Sequence, residues 1–330
     1  MRLKEPITVG GLRLNNRLVL PPMATKRSTT EGLVTEELKE YYRQRAEGGC
    51  LGLVITEHSF VSRQGKAGPQ QMSMADDRAV AGLRELTDLL HGNGSKVFAQ
   101  INHAGGMARP ECTGLEAVAP SPVRNPGAPV QGLIPRALTI PEIHAVEEQF
   151  VEAACRVKEA GFDGVEVHSA HAYLLNEFYS PLTNHRTDEY GGSLENRLRL
   201  HREIIRGIRK ELGADYPIAV RLGGCDYMAG GNTPEDAAGA CRILAAEGVA
   251  LLDISGGMCR YIRKDCTDFG YFSDTSEAVK GAVETPVLLT GGVTTAEQAE
   301  LLLQRGSADL IGVGRALMQN AGWARAAMKI

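Results

Sequence analysis

Residues 141–168 read PEIHAVEEQFVEAACRVKEAGFDGVEVH. The stretch opens on Pro141, runs as an amphipathic helix and closes on Gly161. Proline suits a helix's first turn and glycine its last. Three residues, Gly161-Phe162-Asp163, then lead into a short, mostly apolar run at 164–167. Such a run, without steady polar alternation, is how a parallel strand covered on both faces reads.

The same unit repeats in both directions. Strands are predicted at 18–20, 51–56, 96–101, 164–167, 218–222, 251–254, 287–290 and 310–313. Helices are predicted at 35–48, 76–92, 141–161, 193–212, 233–248, 273–283, 294–306 and 315–328. Eight strand–helix units in alternation imply an α/β chain folded as a (β/α)₈ TIM barrel, one domain over residues 1–330. An open doubly wound sheet would want a G-x-G-x-x-G turn after an early strand. The first strand is followed instead by Pro21-Pro22-Met23-Ala24.

Helix-to-strand connections are short, whereas several strand-to-helix connections are long, at 102–140, 168–192 and 255–272. Long connections in a compact domain tend to be functional. These three share the C-terminal face of the strands, where barrel active sites lie.

Composition narrows the class. Lys plus Arg is 36 and Asp plus Glu 40, so the net charge is −4. That mild acidity argues against a nucleic-acid or anionic-membrane partner held by bulk charge. Hydrophobic residues at 43% and charged residues at 23% are ordinary globular values. There is neither a long apolar run nor an N-terminal apolar core of a secretory signal. The seven cysteines are widely spaced with no C-x-x-C pair, which favours free thiols in a reducing cytoplasm.

The chemistry-bearing residues gather after the fourth strand. His168, His171 and Tyr173 stand at its end and can project into the barrel mouth. Two neutral imidazole N–H groups can hold one electron-rich oxygen, and a phenol can deliver a proton. The same histidines, with His58 and His103 at other strand ends, also suit a metal. On spacing alone the two readings are even, the second being a metal-dependent hydrolase. Gly291-Gly292 and Gly314-Arg315 end the seventh and eighth strands, where backbone N–H groups commonly build a phosphate site. The plain alternative there is tight turns. Arg221, at the end of the fifth strand, needs an anionic or carbonyl partner, Glu57 and Asp253 being the internal candidates.

The segment GVEVHSAHAYLLNEFYSPLTNHRTDEYGGSLENR, residues 164–197, resembles the signature of the Old Yellow Enzyme family of flavin-dependent ene-reductases. NRLVLPPMAT, GSKVFAQINHAG, AVRL and ADLIGVGRAL match in order along the chain, so the resemblance spans nearly all of it. It implies non-covalent FMN, no metal, and NAD(P)H as electron donor for reduction of the C=C bond of an activated alkene. His168 and His171 would hold the substrate oxygen and Tyr173 would supply the proton. Pro22, Met23 and Ala24 would pack on the flavin rim, and Gln100 and Arg221 would meet its pyrimidine edge. Ser255 and Gly256 would meet the ribityl chain or phosphate, and Gly291, Gly292, Gly314 and Arg315 the phosphate. A cytoplasmic enzyme that pairs into a homodimer or higher homo-oligomer is expected.

The chain departs from familiar members at three places. Ala24 stands where many relatives carry Thr or Cys, His58 where a small residue is common, and Met107 where some carry a basic residue. It also ends without the cysteine-rich C-terminal extension of two-domain relatives, so FMN alone is expected. A catalytically silent flavin-binding barrel is the remaining alternative.

Overall fold

The eight apolar runs become eight parallel strands that close on themselves: Leu18–Leu20, Leu53–Phe60, Lys96–Asn102, Gly164–Ser169, Ile218–Cys225, Leu251–Gly256, Val287–Thr290 and Leu310–Gly312. Each pairs with the next in chain order, and the eighth pairs with the first. The structure is a computed structural model that describes residues 1–128 and 132–329. The helices Glu36–Ala46, Val80–Gly92, Ile140–Glu159, Arg199–Leu212, Pro234–Ala246, Ser273–Lys280, Ala296–Gln304 and Arg315–Gln319 alternate with the strands. Thr35, Thr233 and Thr295 each accept an N–H of the first turn that follows. Each such cap is worth about 1 kcal/mol.

Two predicted helices are broken. The first halts at Leu198, leaving Leu194–Arg197 as a separate turn capped by Ser193. The last halts at Asn320, whose extended backbone separates Arg315–Gln319 from Trp323–Met328. Five strands run past their predicted ends, two of them by three residues or more. The second continues to Phe60 through a register shift between Thr56 and Ser59, and the fifth continues through Gly223-Gly224 to Cys225.

A hairpin not foreseen from the sequence, Ile7–Val9 with Leu12–Leu14, turns at Gly10-Gly11, both with positive φ. Val9 and Leu14 pack with Val19, Leu53, Ile55, Phe98, Ala219, Leu251, Leu288 and Leu310. The hairpin therefore stoppers the N-terminal end of the barrel. The larger core lies between the strands and the helix ring, where Phe150, Val157, Ile204 and Ile208 are fully buried. None of the described helices is long and apolar enough to cross a membrane. All seven cysteines are free.

Candidate active site

Above the apolar floor the barrel interior turns polar. Side chains of one strand face alternate ways, so two residues beyond Phe98, Ala219 and Leu251 stand Gln100, Arg221 and Asp253. All three are buried, and Glu166 is level with Gln100 across the sheet. Arg221 Nε lies 3.1 Å from Asp253 Oδ2, which makes Asp253 and not Glu57 its internal partner. The angle is too poor for a hydrogen bond, and Arg221 Nε and both Asp253 carboxylate oxygens are left without one. Gln100 Nε2 donates to Glu166 Oε1 at 2.8 Å, while Glu166 Oε2 has no partner. Burial, reinforced by the Asp253 charge, pushes the Glu166 carboxyl well up. Burial also lifts Asp253, to about 6, against the opposing pull of Arg221. With Glu166 neutral, one cation faces one carboxylate.

His168 sits one step above Glu166 on the same face of the fourth strand and is 2% exposed. Its ring centroid is 5.0 Å from that of His171 and 5.3 Å from that of Tyr173, both edge to face. His58 closes the group, stacked on Tyr173 at 5.5 Å. The sequence therefore brings together the three residues singled out, plus the histidine that departs from the family pattern. His103 is not among them. It accepts Gly105 N–H at Nδ1. Among the described residues no three His, Cys, Asp or Glu side chains converge as a metal site.

The turn that presents His171 is unusual. His171 and Ala172 are consecutive non-glycine residues with φ of 62° and 66°. Each costs about 1–3 kcal/mol and persists only where its surroundings over-determine it. His171 N–H donates to Gly256 O, and Ala172 N–H to Asn176 Oδ1. Asn125, from the loop after the third strand, donates to Ala172 O at 2.8 Å and to Glu177 Oε1 at 2.6 Å. Glu177 Oε2 accepts Gly106 N–H. One buried side-chain network thus ties the third-strand loop to this turn.

The charge states follow from burial. Desolvation holds His168 and His171 well below the usual imidazole range, with neighbouring charges adding to it. His58 is held at about 4 by burial and then by Arg221 and Arg260. Burial raises the Tyr173 phenol above its ordinary value. At neutral pH the group is three neutral imidazoles beside a protonated phenol. His168 Nδ1 is buried without a partner, and His171 Nε2 is 2.8 Å from Ser255 Oγ.

The glycine turns lie where expected. Gly292 has a φ of 71°, and a Cβ there would come within 2.9 Å of the Tyr271 ring. A Cβ on Gly314 would come within 2.6 Å of Met23 Sδ, which joins the turns after the first and eighth strands. Arg315 is exposed, and its Nη2 donates to the Tyr271 hydroxyl at 3.3 Å. The backbone approach of tight turns is thus realised, with a guanidinium beside it. Pro22 and Met23 are half-buried at the rim and Ala24 is exposed. Met107 packs with Tyr173 against Ala104 and Ala108. Of the ribityl candidates, Ser255 is engaged by His171 and Gly256 O by the His171 N–H.

Several participants were invisible to sequence reasoning. Asn125 lies in the loop after the third strand and Glu177 in the short helix Leu174–Tyr179, and only the fold links them. Glu166 stands in an apolar run, where period-two alternation with His168 was the available signal. Tyr271 was unmarked among loop residues.

A family model described as NADH:flavin oxidoreductase / NADH oxidase matches residues 2–329. The chain belongs to this family. It is 41% identical over 325 residues to an NADH oxidase of Thermoanaerobacter brockii, covering 97% of this chain and 49% of that one. It is 37% identical over 330 residues to an NADPH dehydrogenase of Bacillus subtilis, covering 99% and 94%. A solved Old Yellow Enzyme homologue from Zymomonas mobilis superimposes with a TM-score of 0.86 at 30% identity, covering 100% and 93%. A 2-naphthoyl-CoA reductase complex superimposes with a TM-score of 0.90 at 28% identity, covering 99% of this chain and 52% of that one. The chain spans about half the length of the first curated relatives it matches. FMN is the cofactor of the family, and the residues here suit it. Its pyrimidine edge offers both donors and acceptors, and Arg221 Nε, the Asp253 carboxylate and Glu166 Oε2 are buried polar atoms without hydrogen bonds.

Proposed function

We propose that the barrel, loaded with FMN, takes electrons from NAD(P)H and reduces the C=C bond of an α,β-unsaturated carbonyl or related activated alkene. The observation that carries this reading is the meeting of neutral His168 and His171, 5.0 Å between rings, with the protonated Tyr173 phenol beside them. Bound FMN, once reduced, supplies a hydride for the alkene β-carbon. Gln100 and Arg221 would hold its pyrimidine edge, Pro22, Met23 and Ala24 its rim, Ser255 and Gly256 its ribityl chain, and Gly291, Gly292, Gly314 and Arg315 its phosphate.

His168 and His171 donate N–H groups to the substrate oxygen. Because they are neutral, they polarise it without giving up a full proton, and they favour the enolate charge that develops there. Donors fixed before reaction cost no reorganisation when the charge appears. Tyr173 keeps its proton at neutral pH and can pass it to the α-carbon. The strained His171–Ala172 turn and its Asn125–Glu177 support hold one imidazole in place. The names of the relatives, an NADH oxidase, an NADPH dehydrogenase and a 2-naphthoyl-CoA reductase, agree with hydride chemistry as a class.

The test is direct. The purified protein should be yellow and release FMN on denaturation, and under anaerobic conditions the reduced form should be reoxidised by at least one member of a panel of activated alkenes. A colourless protein that cannot be reconstituted, or one reoxidised by no alkene, would overturn the reading.

A further inference from the structure

The loop after the sixth strand carries a cation that neither the fold nor the proposed chemistry uses. Arg260 has a φ of 65°, and its N–H donates to Gly257 O. Gly256 is required beside it, since a Cβ there would come within 2.1 Å of Arg260 O. The guanidinium lies 5.3 Å from the Tyr261 ring centroid, and that ring meets His171 edge to face at 5.9 Å. Arg260 is thus one ring removed from the imidazole proposed to grip the substrate. Its Nε is closed to solvent and has no hydrogen-bond partner.

Several acids of this loop and its neighbours are committed elsewhere. Arg263 takes Asp265 at 2.8 Å and Asp274 at 2.9 Å. Asp226 accepts from Ser180 Oγ and from the N–H groups of Asn232 and Met258. Glu177 is held by Gly106 and Asn125. Among the described residues Arg260 has no ion pair, while its charge reaches His58, His171 and Tyr173. A partly buried guanidinium with no counter-charge favours an anionic ligand, and its planar fork matches a carboxylate. Tyr261 and Ile262, 52% and 41% exposed, offer apolar surface on the same loop.

We infer that Arg260 anchors a carboxylate on the alkene substrate, so that the preferred substrate carries an anionic group in addition to the oxygen held by His168 and His171. The inference rests on the proposed function for the identity of the reacting group. The nicotinamide nucleotide, which also carries anions, is the competing source, and the test separates the two.

The binding arm needs no turnover. Oxidised, FMN-loaded protein is titrated with phenol, 3-hydroxybenzoate and 4-hydroxybenzoate, following flavin absorbance. At least one hydroxybenzoate should bind about ten-fold or more tightly than phenol, as expected for a hydrogen bond between charged groups. Arg260→Gln should reduce that preference to under about three-fold, and Arg260→Lys, which keeps charge but loses the fork, should retain part of it. The turnover arm compares cinnamaldehyde with its 3- and 4-carboxylates, where the preference should show in KM rather than kcat. Absence of any preference in the natural protein would overturn the inference. So would equal weakening of phenol and hydroxybenzoates by Arg260→Gln, or an effect confined to the KM for NADH or NADPH. If no alkene is reduced but the hydroxybenzoate preference is present and lost in Arg260→Gln, the proposed function fails and the carboxylate site stands.

Discussion

Tyr173 and His58 lie face to face, with ring centroids 5.5 Å apart and planes 21° from parallel. His58 Nδ1 is in turn 3.0 Å from the Gln71 amide nitrogen, which can only donate, so the ring proton resides on Nε2. The phenol is therefore held between His58 on one side and the edge of His168 on another. Tyr173→Phe keeps this packing and removes the acidic proton. Alkene reduction should slow by about 10²–10⁴, with a far smaller effect on reduction of the flavin by NAD(P)H. Stopped-flow measurement of the two half-reactions checks this, and equal losses in both would remove Tyr173 from the proton-donor role.

The two imidazoles should be separable from the phenol by binding alone. A phenolate mimics the enolate oxygen, so His168→Ala or His171→Ala should each weaken phenol binding by about ten- to a hundred-fold, the range for a hydrogen bond to a charged group. Ser255→Ala, which releases His171 Nε2 from its neighbour at 2.8 Å, should have a smaller effect of the same sign. Titration followed by flavin absorbance measures all three, and unchanged affinity in both histidine variants would refute the oxygen-binding assignment.

Gly292 combines a positive φ with a Tyr271 ring packed on its Cα. Gly292→Ala adds backbone strain of about 1–2 kcal/mol together with a contact that Tyr271 must yield to. If this turn holds the FMN phosphate, the variant should retain its circular dichroism spectrum but lose FMN on dilution, with Kd raised about ten-fold. Ultrafiltration of bound flavin measures it. Full FMN retention would show that the glycine serves only its own turn.

Glu177 ties pH to stability. Burial lifts its carboxyl to about 8, against the opposing donors Gly106 and Asn125. In the unfolded chain it titrates at about 4.3. Between those values the folded protein keeps a proton that the unfolded chain has released, so its contribution to stability falls as pH rises and levels off above about 8. Glu177→Gln abolishes that titration. The Tm difference, natural protein minus variant, should move against the natural protein between about pH 5 and pH 8.5. A constant difference would show that Glu177 is ionised in the fold.

The hairpin stopper should matter to the whole barrel. Leu14 is fully buried among the inward residues of the strands. Leu14→Ala should cost about 2–5 kcal/mol, as core truncations do. Thermal unfolding measures this, and a loss under about 1 kcal/mol would mean that the hairpin only covers the floor loosely.

Legibility in the sequence followed the range over which each signal acts. Every barrel strand was readable because each is a short, nearly all apolar run, and His168, His171 and Tyr173 were readable because three chemistry-bearing side chains fall within six residues. The hairpin was missed because its two strands are three residues each, although Gly10-Gly11 between apolar residues is a turn signal. Strand ends at Phe60 and Cys225 were missed because register shifts and glycines look like loop. The Asn125–Glu177 bond spans 52 residues, and no local pattern reports it. Arg260 was hidden for the opposite reason: its significance lies in the partner it lacks, which only the fold can show.

A cylinder corked at its lower end has a single doorway. On the proposed chemistry, the nucleotide that delivers electrons and the molecule that accepts them must both come and go through the same opening, so they take turns. Steady-state rates at several fixed concentrations of each should give parallel double-reciprocal lines, and an excess of either reactant should slow the other by standing in its way.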